Sequence, residues 1–154
     1  MAILDRLPTR DRLQRMGIIT TGDCVLCNDA LETRSHLFFE CPTASNLWEI
    51  ILQHNGLKKS ISSWEDMIVW ACNSWKGKSL ISTILKLAWC AKIYVLWEER
   101  NRRIFQGRSR STDDLFICIK EFVGIKLRGK KINMFDRVNT FLCNSWAIPE
   151  ETFA

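Results

Sequence analysis

The hydrophobic positions of this chain are spaced for helix rather than strand. Leu47, Trp48, Ile51 and Leu52 recur three to four residues apart. They define one face of a helix expected from about Thr43 or Ser45 to Gln53, with "HNG" closing it. Upstream, "LPTRDRLQRMGI" reads as a short helix with Thr9 as N-cap and Gly17 as stop. Downstream, "SSWEDMIVWACNSW" suits a helix capped by Ser62 or Ser63. Glu65 and Asp66 then stand in its first turn, where the macrodipole favours negative charge. The longest segment runs from Ser79 to about Gln106. It is apolar almost all round as far as Trp97 and then turns to "EERNRRIFQ". That change is expected of a helix that leaves a core and projects into solvent.

One more helix is expected in "STDDLFICIKEFVGIKLRGKK", capped by Ser111 or Thr112, with Leu115, Ile119, Phe122 and Val123 as its apolar stripe. Asp113 and Asp114 follow the cap residues and read as first-turn acids. The tail predicts a short helix or strand through Phe141 to Trp146, fraying after Pro149. With 3 prolines and 7 glycines in 154 residues there are few breakers, and the expected class is mainly α. "LKKSISS" is a polar joint that divides the chain into residues 1–57 and 58–154, two units that can share one core.

The run from Leu80 to Trp97 is about long enough to cross a bilayer. Lys86 and Lys92 lie well inside it, each costly near a bilayer centre. The run therefore reads as a buried helix, and no membrane partner is expected. The start of the chain is charged within its first six residues and has no long apolar core, unlike a secretory signal. The expected location is intracellular, nuclear or cytoplasmic, with reduced thiols. A composition of 47% hydrophobic and 25% charged residues argues against disorder.

Reduced cysteines change the picture where they cluster. Cys24-x2-Cys27-x8-His36-x4-Cys41 gathers three of the 7 cysteines and one of the 2 histidines. Two cysteines separated by two residues can turn both sulfurs onto one ion, and His36 and Cys41 supply the second pair. If His36 starts a helix, Cys41 lies a little over one turn along it. Three thiolates and a neutral imidazole would close the coordination shell of one structural Zn²⁺. An iron–sulfur cluster would prefer four cysteines, and catalytic zinc would need an open position. Cys72, Cys90, Cys118 and Cys143 lie among apolar residues and are expected in the core. His54, at a helix end, reads as a cap or dipole partner.

These residues carry a resemblance. "RLPTRDRLQRMGI", then "CVLC", then "HLFFECPTASNLW" resembles the zinc-binding domain of plant reverse transcriptases from non-long-terminal-repeat (LINE-like) retrotransposons, over roughly residues 4–55. "LWEERNRRIF" is similar to a W-x-x-R-N-x-R-I-F stretch that often follows. The resemblance implies zinc on Cys24, Cys27, His36 and Cys41, a packing role for Trp48, and contact with nucleic acid. The family's polymerase strand is absent, as are spreads of acidic residues for a ribonuclease H or endonuclease site. A non-catalytic fragment of such an element is the expectation.

The net charge of +5 permits phosphate binding without requiring it. Candidate contacts to RNA or DNA are Arg6, Arg10, Arg12 and Arg15 ahead of the cysteines, and Arg100, Arg102, Arg103, Arg108 and Arg110 after the long helix. Lys126, Arg128, Lys130 and Lys131 form a third basic group. Each cluster also reads as a solvated face, and two sharing one face would favour phosphate contact. Trp64, Trp70, Trp75, Trp89 and Trp97 could stack bases, but at helical spacing in apolar runs they read as core. The alternative function is a protein-interaction module docking on a polymerase body or another protein.

Overall fold

The computed structural model describes residues 6–59, 61, 63–128 and 136–148. The order is α1 (Arg10–Arg15), a single π-helical turn (His36–Glu40), α2 (Pro42–His54), α3 (Trp64–Ser74), α4 (Leu80–Gln106), α5 (Thr112–Leu127) and α6 (Arg137–Trp146). The fold is mainly α, and no strand occurs among the described residues. Leu4, Ser62, Lys130, Lys131 and the expected fraying after Pro149 lie outside the described residues.

Local chemistry places most boundaries. Ser63 caps α3 by accepting the Asp66 amide at 3.1 Å, and Ser79 caps α4 through Ser82 at 3.3 Å. Gly107 ends α4 at φ 64°, a left-handed conformation that glycine adopts without a Cβ penalty. Ser111 and Asp114 form a reciprocal capping box on α5, so the Asp-Asp pair is a helix start. The tail segment is helical, and Asp136 caps it through the Asn139 amide at 2.7 Å. Helix α2 begins earlier than its apolar stripe suggests. Pro42 takes the first helical position, where its missing N–H is no loss, so the chain turns into helix directly after Cys41.

One hydrophobic cluster runs through both expected units. It joins Cys24, Leu37, Phe38 and Cys41 to Leu47 and Ile51 of α2, Ile84 and Leu96 of α4, Ile119 and Val123 of α5, and Trp146 of α6. Indole rings stitch the layers together. Trp48 of α2 packs on Trp75 at 6.4 Å, Trp75 on Trp89 of α4 at 6.0 Å, and Trp89 on Trp64 of α3 at 6.0 Å. Trp64 meets Phe39 of the π-turn edge-on at 5.2 Å. Trp64 and Trp75 are buried, and Trp70, Trp89 and Trp97 are half-buried.

Two expectations are corrected. The "EERNRRIFQ" end of α4 does not project wholly into solvent, since Glu99 is 0% and Arg100 4% exposed. Polar residues can be buried when other parts of the chain satisfy them. Here the partners come from Glu32 in the cysteine segment, from the Pro8 carbonyl and from Arg110 in the link between α4 and α5. Cys72 and Cys90 are exposed rather than core, because they fall on the outer faces of α3 and α4; Cys143 is buried and Cys118 half-buried. Helix α4 is long and apolar enough to cross a membrane by length and composition, and half of that window is buried inside the fold.

Candidate metal centre

The chain from Gly22 to Glu32 is a tight loop. A short antiparallel bridge pairs Asp23 with Leu31, with the Cys24 amide on the Ala30 carbonyl at 2.7 Å and the Glu32 amide on Gly22 at 2.8 Å. The Asn28 amide returns to the Cys24 carbonyl at 2.7 Å, and Asn28 holds φ 60°. Asparagine tolerates that left-handed geometry better than most residues. This turn brings Cys24 and Cys27 to one side. The π-turn then carries His36 in, and its end delivers Cys41 at the start of α2. A turn wider than an α-helical one thus takes the place of the simple helix expected from His36.

The four predicted ligands meet. Their ligand atoms all lie within 4.8 Å of one another. The Cys24 and Cys41 sulfurs are 4.0 Å apart, and the Cys27 sulfur is 3.2 Å from His36 Nε2. A zinc tetrahedron with Zn–S near 2.3 Å has S–S edges of about 3.8 Å, so these spacings suit that ion. Cys24 and Cys41 are fully buried and His36 is nearly so, while Cys27 lies at the rim. The other ring nitrogen of His36 faces Glu40 at 4.0 Å, on the side where a carboxylate can orient a ligating imidazole.

Electrostatics favour the sulfur anion at Cys41 and disfavour it at Cys24. The hydrogen bond from Cys24 draws the Cys41 thiol down, against the opposing pull of burial, and the Thr43 and Ala44 amides at the start of α2 add to it. The same Cys24–Cys41 bond, together with burial, pushes Cys24 up, while the Cys27 and Leu26 amides pull it the other way. The Asp29 amide donates to the Cys27 sulfur at 3.5 Å. N–H groups aimed at sulfur offset part of the desolvation of a thiolate, as a thiolate–metal site requires.

Residues to which sequence reasoning gave no place at the site surround the ligands. Glu32, 0% exposed, accepts the Arg10 amide at 2.9 Å and the Arg100 guanidinium at 3.0–3.3 Å. It thereby supplies the side-chain cap of α1: Thr9 holds the expected N-cap position, but its hydroxyl turns to Asp11. Lys92, 0% exposed, donates to the Phe38 carbonyl at 2.6 Å and lies over the Phe39 and Trp48 rings at 4.5 and 5.1 Å. Burial lowers its amine to about 7. The signals available were an acid between two ligand pairs and a lysine inside an apolar run. Neither names its partner.

The arginines divide. Arg100 also donates to the Pro8 carbonyl at 3.2 Å and lies over the Trp97 ring at 4.5 Å. Arg103 and Arg110 both bond Glu99, at 3.3 and 3.0 Å, and Arg103 reaches the Leu26 carbonyl at 3.3 Å. Burial pushes the Glu99 carboxyl up, but Arg110 and Arg103 together hold it below its ordinary range. Arg102 pairs with Glu98, and Arg15 with Asp11 at the surface. Arg10 bonds Thr21, Arg12 is half-buried, and Arg6 and Arg108 are exposed. The structure thus brings the metal-ligand set together, and turns Arg100, Arg103 and Arg110 inward. His54 sits on the last turn of α2 with Nδ1 3.0 Å from the Ile50 carbonyl, its ring against Phe116 at 4.4 Å.

The fold and site together define a small helical protein with a buried three-cysteine, one-histidine centre. Residues 1–48 match the family described as zinc-binding in reverse transcriptase, and that family is a zinc-binding rather than a catalytic one. The match ends at Trp48, a little short of the resemblance read to about residue 55. Comparisons with curated proteins and with solved structures gave no match.

Proposed function

We propose that this chain is a non-catalytic zinc-binding module derived from a LINE-like retrotransposon reverse transcriptase of a plant. It holds one structural Zn²⁺ on Cys24, Cys27, His36 and Cys41 and assists RNA or DNA binding. The observation that carries this reading is the convergence of four ligand atoms within 4.8 Å, inside the segment that matches the family. Bound zinc would supply a fixed cross-link, with no open position for chemistry, and the buried sulfurs would exclude water from it. Phosphate contact falls to the arginines on the outer side, Arg6, Arg15, Arg102 and Arg108, with Arg10 and Arg12 beside them. The two arginine-bearing segments meet at Glu32, through the Arg10 amide and the Arg100 guanidinium, so the outer arginines of both stand on elements that are joined to one another.

The inward turn of Arg100, Arg103 and Arg110 favours a second reading, docking on a protein. Met16 and Ile18 beside the zinc segment are 69% and 62% exposed, apolar surface that a polymerase body or another protein could cover. Native mass before and after acid denaturation counts the metal. One zinc per chain, lost in Cys24→Ser or His36→Ala, supports the site; no zinc in folded, reduced protein overturns it. Titration with RNA and DNA oligomers across a salt series separates the two readings. Phosphate binding weakens steeply as salt rises, and apolar docking does not.

A further inference from the structure

The family match stops at residue 48, yet the chain beyond it reaches into the metal centre. Three side chains of α4 bond the cysteine loop. Lys92 holds the Phe38 carbonyl at 2.6 Å, inside the turn between His36 and Cys41. Arg100 holds Glu32 at 3.0–3.3 Å, between the two ligand pairs. Arg103 holds the Leu26 carbonyl at 3.3 Å, within the Cys24–Cys27 turn itself. Positions 92, 96, 99 and 103 step by three or four, and position 100 lies four beyond 96 and three before 103, so all five share one helix face. Along that face Leu96 and Glu99 are buried as well.

We propose that α4 is a positioning element of the zinc centre. Lys92, Arg100 and Arg103 fix the backbone that aims the ligands, so the centre is complete only with the tract "WEERNRRIF". This rests on the zinc reading above. It gives the arginine-rich tract a role that phosphate contact does not: its two inward guanidiniums serve the metal loop. Each contact is to a main-chain carbonyl or to a carboxylate that itself anchors main chain. Their loss loosens ligand geometry without removing a ligand. Outer groups of this kind typically change metal affinity by about 10–100-fold.

The test uses the full chain, with zinc affinity read by competition against a chromophoric chelator and ligand geometry read from the visible spectrum of the Co²⁺-substituted protein. Arg103→Met is the first variant, because its side chain is partly exposed and Glu99 keeps Arg110. It should weaken zinc about ten-fold or more and alter the Co²⁺ bands, while Arg103→Lys, which can still donate to one carbonyl, restores both. The double variant Arg100→Met/Glu32→Gln, which leaves no orphaned charge, should behave like Arg103→Met. Lys86→Met, at an exposed position of α4, should change neither reading. Variants that lower thermal stability but bind zinc with unchanged affinity and spectrum overturn the proposal. A native chain that takes up no metal at all overturns the zinc reading itself, and this inference with it.

Discussion

The cysteine loop and the α4–α5 pair are held by opposite means. Between Gly22 and Ser35 there is almost no regular backbone, and the loop's buried side chains are few: Cys24, Leu26 and Glu32. What holds it is main-chain turns, one buried acid and the convergence of Cys24, Cys27, His36 and Cys41, which zinc would cross-link. The α4–α5 pair is regular from Leu80 to Leu127 apart from one short link. It buries Ile84, Leu85, Leu96, Leu115, Ile119 and Val123 behind two serine caps. A helix pair of this kind draws its stability from many small apolar terms. A metal loop draws it from a few large ones. The difference teaches where each region is vulnerable: single substitutions should break the loop and only weaken the helices.

The largest expected effect is therefore metal loss. Structural zinc in small domains contributes on the order of 10 kcal/mol of apparent folding free energy at neutral pH. Cys27→Ser should release the ion and unfold the loop, and a chelator should do the same to the native chain. Circular dichroism with zinc titration checks both. Because one core runs through both regions, the helices should also lose part of their stability. If Cys27→Ser keeps zinc and its unfolding midpoint, the ligand assignment is wrong.

Next comes the joint between the regions. Arg100→Met would leave the Glu32 carboxylate, 0% exposed, with only the Arg10 amide. Breaking a buried pair by removing one partner costs about 3–5 kcal/mol. Chemical denaturation should show a loss of that size, and Glu32→Gln added to it should recover a large part. A loss under about 1 kcal/mol would mean that water reaches this pair and that it counts as a surface ion pair.

That joint is where the sequence was least legible. The ligand spacing named Cys24, Cys27, His36 and Cys41 because a local turn brings the first pair together and a short connection returns the second. The helices were legible because apolar spacing and caps are also local. Glu32 and Arg100 stand 68 residues apart, and no periodicity links them. Charge patterning alone therefore sent "EERNRRIFQ" into solvent. The same blindness hid Lys92, whose partner is a carbonyl 54 residues away. Placing Cys72 and Cys90 inside failed for a different reason. In runs apolar nearly all round, no stripe tells which face is turned out.

Lys92 gives a pH signature of the joint. Its folded value is about 7 and burial is the cause, whereas an unfolded lysine titrates near 10.4. The folded state disfavours the charged amine, so the penalty is full below pH 7. It is relieved as pH rises from about 7 to 10.4 and is gone above that range. Stability of the native chain from this group should rise across that window. The facing groups are the Phe38 carbonyl and the Phe39 and Trp48 rings, with Glu49 and Lys59 lining the small cavity beside it. Lys92→Met should flatten the dependence, by a few kcal/mol between pH 6 and 10. Parallel curves for the two proteins would mean that Lys92 stays charged throughout.

The smallest effect sharpens the comparison most cleanly. Asp136 caps α6 by accepting the Asn139 amide at 2.7 Å; it is exposed and, among the described residues, belongs to none of the contacts to the cysteine loop. Asp136→Ala should lower stability by about 1 kcal/mol. In a chain of this size that is a fall in Tm of about 2–4 °C. The helix itself should persist, since Leu142, Cys143 and Trp146 keep it on the core. Zinc affinity of the folded protein should not change, because α6 reaches the loop only through the shared core. Differential scanning calorimetry and chelator competition on the same sample give both numbers. If zinc affinity falls along with Tm, general stability governs the centre and the α4 contacts have no special claim on it. If Tm falls alone, the centre does not simply follow global stability, as its positioning by the α4 contacts requires.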